Sequence, residues 1–574
     1  MRRVICAIAV GLLGGCAKTT ERSAAADGGG GRADGARAEA SPTGGAGGAA
    51  GAGGASALSP CDEAKANRSA SGCEFYSVAP AADFSSRGYC FAALLTNTWT
   101  SPVTIQVSYF GMPLNVAGLA RTTKGTGQSL TYEPLVGDQL PPGQVAILFL
   151  SQRQPTYPGE ELVACPPGVE PGITLDPSIL DSGSGKAFRI TTDAPVAAYD
   201  IYPYGGAKSY VSSATLLIPT SAWGTNYMAV DAYAKDPALG QREVPFVQIV
   251  AAESATKVTI SPKVAIKGGG FIVPTPAMQP QVYMLSRGEV LQFAQPEELA
   301  GSPIVADKPI GVWGGSACMN IPAGFGYCDG AHQQILPVNW LGSEYVAVRH
   351  RDRWPDLPER VPWTLVGAVD GTALTYDPAP PNGAPATLDR GQVVRFGASD
   401  PFVVRSNDDR HPFYVAGHMT SSTFPKPYPP MGPPMRPEPP PNPIDANRGD
   451  PEFVNAVPPQ QWLPQYTFLT DVTYKNTHLV FIRQRGMDMT FKDVSLDCIG
   501  PITGWAPVGT GGRFQLGRVD FDKQPGGCMD GAHTAHSDAS FGLTVWGWDQ
   551  DVSYAYPAGL STKPINTVVV PVVE

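Results

Sequence analysis

The chain has 574 residues, with 43% hydrophobic and 9% aromatic side chains and a formal net charge of −10. Acidic and basic residues are scattered rather than blocked, which excludes a nucleic-acid footprint. The length allows several domains or one large repetitive body.

The N-terminus opens with Arg2 and Arg3, an apolar run from Val4 to Leu13, and then Gly14, Gly15 and Cys16. The run is too short to span a bilayer, and its order is that of a cleaved secretory signal over residues 1–15. The small residues before Cys16 resemble the bacterial lipobox, in which the cysteine is acylated and becomes the mature terminus. That resemblance implies outer-membrane lipid as a partner through Cys16, and Ala17, where an aspartate would retain the protein at the inner membrane, points to the outer one. The expected location is the cell envelope, facing outward. Residues 16–60 then run in glycine, alanine and serine with no aromatic side chain. Such a segment buries too little apolar surface to offset its ordering entropy and reads as a tether. Its root-mean-square reach is about 35 Å.

The body is expected over 61–574. Cys6 leaves with the signal and Cys16 takes lipid, so Cys61, Cys73, Cys90, Cys165, Cys318, Cys328, Cys498 and Cys528 remain. In an oxidising envelope disulfides are the default for an even set. Sequence neighbours give the simplest pairing, 61–73, 90–165, 318–328 and 498–528, although proximity argues only for the first and third. Zinc is the rival use. Cys318, Cys328 and His332, or Cys528, His533 and His536, carry the right ligand types, and both clusters contain an Asp-Gly-Ala-His run. Their spacing is not that of a zinc knuckle, so no metal and no other cofactor is assigned.

Between Cys165 and the C-terminus the apolar stretches are five to eight residues long, β-branched and bounded by turn residues: "PVAAYDIY", "FVQIVAA", "KVTISP", "EVLQFA", "WTLVGAV". These are strand signatures, and no sustained 3.6-residue period appears, so the class is all-β with few helices. The segments also repeat. "TDAPVAAYDIYPYGG", "ADKPIGVWGGSAC" and "DRHPFYVAGHMTSS" place prolines at 195, 309 and 412. Downstream of each, a tryptophan precedes a tyrosine: Trp223 and Tyr227, Trp340 and Tyr345, Trp462 and Tyr466. Recurrence at this spacing marks one packing socket used repeatedly rather than a ligand contact. "FGLTVWGWDQDVSYAYPAG" reads as the start of another copy. Recurrent hairpins favour a repetitive β-propeller-like body, with a tandem β-sandwich array as the alternative. Residues 424–443, "FPKPYPPMGPPMRPEPPPNP", interrupt the third copy as an extended proline-rich insertion.

"CDEAKANRSASGCEFYSV", "GKAFRITTDAPVAAYDIYPYGG", "ATLLIPTSAWGTNYMAV" and "DKPIGVWGGSACMNIP…YCDGAHQQILPVNWLGSEYV" together resemble the IgGFc-binding-protein N-terminal domain family, over roughly residues 61–563. The resemblance implies an extracellular, non-enzymatic β-domain associated with adhesion or surface binding. It supplies no catalytic residues, and binding of an antibody Fc region is not carried over.

Enzyme signatures are missing from the sequence. There is no His-Glu-x-x-His, Gly-x-Ser-x-Gly or dinucleotide fingerprint after a strand. "DSGSGKA" at Asp181 lacks the phosphate-loop spacing and reads as a turn, as do the acidic pairs Asp370 with Asp377 and Asp549 with Asp551. In "RDRWPDLPER" the interleaved arginines oppose a cation site. The expected function is therefore non-catalytic binding of a glycan, matrix or surface-protein ligand. Contacts are sought on aromatic loops, at Trp354 and at Tyr428 in the insertion. The alternative is a secreted or surface hydrolase of polysaccharide or protein, which would need two titratable groups converging from distant copies.

Overall fold

Val145–Ser151 reads VAILFLS and is buried along its whole length, as a strand covered on both faces must be. Equally apolar runs, Phe91–Thr96, Pro245–Ala251 and Val361–Gly367, stand at the corresponding places of successive copies. The computed structural model describes residues 58–572 apart from 67–70, 83–85, 210, 242, 326–327, 355–357, 423, 425–447 and 522–526. The signal segment, Cys16, all but the last three residues of the tether, and the proline-rich insertion beyond Phe424 (Tyr428 included) lie outside the described residues. The described chain is all-β; its α-helices are Pro60–Ala66 and Val116–Leu119.

One pairing scheme accounts for the repeat. In the first unit the long strand Phe188–Tyr202 pairs through its first half with Gly72–Ser77 and Val103–Tyr109. Its second half pairs with Phe91–Thr96 and Ser213–Leu217, and Val145–Ser151 adds outside Phe91–Thr96. A three-stranded and a four-stranded set thus share one strand, and further short strands extend both at their edges. The second unit repeats this around Pro303–Met319 and the fourth around Ala532–Asp549. In the third unit the shared strand is broken into Phe402–Arg405 and Phe413–Met419, and each piece keeps its two partners. The break is a turn in which Asp408 accepts the Arg410 N–H, followed by Pro412, which has no N–H to offer.

Pro195 and Pro309 sit where their strands change partners, at the one place where a missing N–H costs no ladder bond. The fourth unit crosses at Asp538–Ser540 without a proline. The C-terminal segment expected to begin another copy is the second half of this unit's shared strand and its last strand, Val552–Pro557.

The last strands of the four units, Ser213–Leu217, Asp329–Ile335, Glu452–Asn455 and Val552–Pro557, pack against one another in sequence, and the fourth returns to the first. The four-stranded ladders therefore meet at a common centre formed by these last strands. Each three-stranded ladder folds over the same core as its partner. In the third unit Tyr345, Trp363, Phe396, Phe402 and Val415, from both ladders, form one buried cluster. Adjacent units also exchange structure: Gly183–Lys186, expected as a turn, is a strand on the outer edge of the second unit against Glu289–Gln292.

After the last strand the chain runs back over the ring. Ser561 N–H donates to the Gln461 carbonyl, Ile565 N–H to that of Asn339, and Val570 N–H to the Asn226 side chain. These contacts fall, in order, on the first strands or lead-in turns of the fourth, third and second units.

Candidate binding surface

The eight body cysteines form the disulfides Cys61–Cys73, Cys90–Cys165, Cys318–Cys328 and Cys498–Cys528. Their sulfurs are therefore not thiolates. Asp497, Cys498 and His533 do bring donor atoms within 4.8 Å of one another. Yet the sulfur is bonded to Cys528, and both imidazole nitrogens are engaged, Nδ1 with Asp497 at 3.0 Å and Nε2 with the Met529 carbonyl at 2.9 Å. This donor set does not fit zinc. His332 is buried in its strand, parallel to the Trp313 ring and 3.9 Å from Asp200. Burial pushes its pKa down to about 3, so it stays neutral.

Asp200 lies between His332 and Ser77, whose hydroxyl donates to it at 2.8 Å. The three residue types of a hydrolytic triad are present in the wrong order: the carboxylate, not the imidazole, contacts the hydroxyl. The group is enclosed in the core, and burial pushes Asp200 up to about 8.

A second buried polar set lies where the four last strands meet. Asp329 accepts Ser212 N–H at 2.7 Å and Ser553 N–H at 2.9 Å, joining the second unit to the first and fourth. The Gln333 side chain donates to the carbonyls of Ala214 and Ala555, spanning the same two neighbours. Asp450 accepts Ser422 N–H, and Glu452 accepts Phe453 N–H. Burial raises Asp329, Asp450 and Glu452 well above the carboxylate range, and their charged neighbours are one another and Asp551. Carboxyls so placed keep their protons more readily than exposed ones and act as hydrogen-bonding staples of the ring.

Of the acidic pairs singled out in the sequence, Asp370 and Asp551 lie in turns, whereas Asp377 and Asp549 end strands. Asp377 of the third unit accepts the N–H and hydroxyl of Thr510 and the N–H of Gly511, from the fourth. Asp551 accepts the Ser422 hydroxyl. A surface groove of about 270 Å³ beside Trp99, Ser71 and Thr98 has Glu63 as the one ionisable side chain among its described lining residues.

Trp354 is not a surface contact: it is 5% exposed, with the Arg353 and Arg448 guanidinium groups against its ring. Arg353 bonds Glu359 through two nitrogens, which turns the "RDRWPDLPER" loop inward.

Exposed apolar side chains occur at several places, Phe110, Met112 and Val136 among them, and five of them lie close together in sequence in the second unit between Ile260 and Leu285. Gly268, Gly269 and Gly270, at φ of 77°, 146° and 54°, make a turn that side chains would oppose. Bridges Ile266 to Thr275 and Gly269 to Ile272 flank it as a small hairpin. Ile266, Ile272 and Thr275 face inward, which leaves Phe271 84%, Val273 49% and Met278 64% exposed. The following strand, Gln281–Leu285, shows Val282 and Met284 on its outer face. From Gly268 to Ser286 there is no charged residue, in a chain with 16% charged side chains. Sequence reasoning, searching for aromatic loops between strands, passed over this hairpin; its signal was the uncharged run with three consecutive glycines.

A closed ring of four two-layered β-units, stapled by disulfides and carrying an uncharged apolar hairpin, defines an all-β scaffold that displays loops. A family model described as "IgGFc binding protein" matches residues 213–547, from the last strand of the first unit into the shared strand of the fourth, and the chain belongs to that family. The human protein named "IgGFc-binding protein" is 26% identical over 274 residues, which is 47% of this chain and 5% of the human one. Among the described residues no helix is long and apolar enough to cross a membrane.

Proposed function

We propose that this chain is a non-catalytic binding protein of the cell envelope, anchored by acylated Cys16 and held off the outer membrane by the 16–60 tether. In this reading the ring is carried outward and takes a protein ligand on the apolar hairpin of its second unit. The observation that carries it is that hairpin: Phe271, Val273 and Met278 stand exposed on an uncharged stretch. Contiguous exposed apolar side chains on a rigid scaffold mark interaction sites, and loops carry recognition. Family membership supports a protein ligand, since the human relative is named for binding an antibody Fc region. With 5% of that protein aligned, the ligand of this chain is left at the level of class.

The test presents the full chain with Cys16→Ser, which stays out of the lipid phase, to arrays of surface proteins, matrix proteins, Fc fragments and glycans. Binding to a protein that falls at least tenfold in a Phe271→Ser, Met278→Ser double variant supports the reading. Binding confined to glycans, or protein binding unchanged in the variant, overturns it. For the anchor, the parent chain should partition into detergent and the Cys16→Ser variant should not.

A further inference from the structure

The groove of about 270 Å³ in the first unit is lined by the rings of Pro60, Trp99 and Pro195 and by polar Glu63, Ser71 and Thr98. Ser71 and Thr98, whose hydroxyl oxygens are 3.4 Å apart, also line a hollow of about 60 Å³ that extends to Gln465 and Thr467 of the fourth unit. Together the two reach the lower end of the range for small-molecule sites, roughly 300–1,000 Å³. Local bonds fix the groups that line the groove. Glu63 stands on the helix Pro60–Ala66, which the Cys61–Cys73 disulfide ties to the strand Gly72–Ser77. Trp99 N–H donates to the Asn97 side-chain oxygen at 2.8 Å, and the Asn97 amide donates to the Ser101 and Leu140 carbonyls. That turn holds the loop that carries the indole.

Among the described residues, the Glu63 carboxylate, the Trp99 indole N–H, the Gln465 amide and the Thr467 hydroxyl have no hydrogen-bond partner. An ionised carboxylate only accepts, an indole only donates, and an amide or a hydroxyl does both. A ligand that answers all four carries closely spaced donors and acceptors and, beside them, an apolar face for the indole. A pyranose ring has this make-up, with hydroxyls around its edge and C–H groups on its face. The two oxygens of Glu63 match two neighbouring hydroxyls. Glu63 is also the one charged side chain among the described lining residues of both hollows, so an acidic sugar would meet a like charge.

We propose that this cleft binds a neutral oligosaccharide. One sugar ring lies against Trp99 with its hydroxyls on Glu63, and the saccharide chain continues past Ser71 and Thr98 to the Gln465 amide and the Thr467 hydroxyl. The site goes beyond the protein-ligand reading and shares no residue with the apolar hairpin.

The test titrates the full chain with Cys16→Ser against cellotetraose, maltotetraose and N-acetylated chitotetraose as neutral probes, and against a heparin tetrasaccharide as the acidic one. Saturation-transfer NMR detects contact, and calorimetry gives the affinity. At least one neutral probe should bind, with saturation passing to its ring C–H protons. Trp99→Ala should weaken that binding about tenfold or more by removing the platform. Glu63→Gln, at an exposed position that leaves the fold intact, should weaken it about tenfold by removing a charged acceptor. The Phe271→Ser, Met278→Ser double variant should bind the sugar unchanged, so the two readings fail separately. A chain that binds none of the neutral probes overturns the proposal, as does one that binds the heparin fragment alone. An affinity for a neutral probe that Glu63→Gln leaves unmoved, or that falls in the hairpin double variant, also overturns it.

Discussion

The hydroxyl of Tyr227 donates to the carbonyl of Ile310, 83 residues further on, at 2.7 Å, and accepts the N–H of Gly224 at 3.0 Å. Ile310 opens the second half of the shared strand, just past its crossing, so one side chain locks a unit's first strand to the point where two ladders part. Tyr345 makes the same pair of bonds to Phe413 and Gly342, and Tyr466 to Phe541 and Leu463. Each phenylalanine replacement leaves a buried carbonyl and an N–H unpaired. Tyr227→Phe, Tyr345→Phe and Tyr466→Phe should each cost about 1–3 kcal/mol, with similar values at the three sites, measured by denaturant titration. A cost confined to one site would show that the sockets are not equivalent.

Stability should fall as pH rises from about 6.5 toward 8, above the range in which His332 and His478, held neutral by burial, pull the other way. Burial holds Asp200 up to about 8 and Asp530 up to about 6, both above the unfolded carboxylate value. The folded chain therefore keeps protons that the unfolded chain has released. The resulting stabilisation is complete below the unfolded pKa and is lost as pH rises through the folded one. Each site contributes a slope of up to about 1.4 kcal/mol per pH unit. Asp200→Asn, which keeps an acceptor for Ser77, should give a shallower decline in melting temperature across this window. An unchanged slope would place the titration elsewhere.

Disulfide removal should follow loop length. Cys90–Cys165 spans 75 positions and Cys318–Cys328 spans 10. On chain-entropy grounds the paired Cys90→Ala, Cys165→Ala change should cost about 2 kcal/mol more than Cys318→Ala, Cys328→Ala. Urea midpoints of the two double variants measure the difference.

The C-terminal run should be a structural element despite having no strand. Asn566 donates its side-chain amide to the Val338 and Leu341 carbonyls at 2.8 and 2.9 Å, and it is 8% exposed. Asn566→Ala should cost about 1–3 kcal/mol by leaving those carbonyls unsatisfied. Truncation after Leu560 should cost more and should sharpen proteolysis at the turns around Asn339 and Gln461.

Much of this architecture was legible in the sequence where one side chain does the same job in each copy. The tryptophan and tyrosine pairs announced the socket because in three of the four units a buried phenol locks the crossing. Prolines marked three crossings because only there is a missing N–H harmless. The fourth unit stayed hidden, since its crossing reads Asp538, Ala539, Ser540 and its end was mistaken for a beginning. In the first unit Gly72–Ser77 carries no tryptophan and tyrosine pair, so its start left no mark. Trp354 was misplaced because a loop aromatic between arginines looks exposed until Glu359 draws Arg353 inward. The polar centre was invisible for a different reason. Ser212, Asp329, Asp450 and Ser553 are spread over more than 300 positions, and nothing local says that four last strands share an axis.

The run that ties the fourth, third and second units is made after all four of them. Until residues 561–570 emerge, a nascent chain has all four units but no lashing across them. A ribosome stalled before residue 561 would thus hold four paired units in an unfastened assembly. Quality-control proteases would meet it with its turns still open.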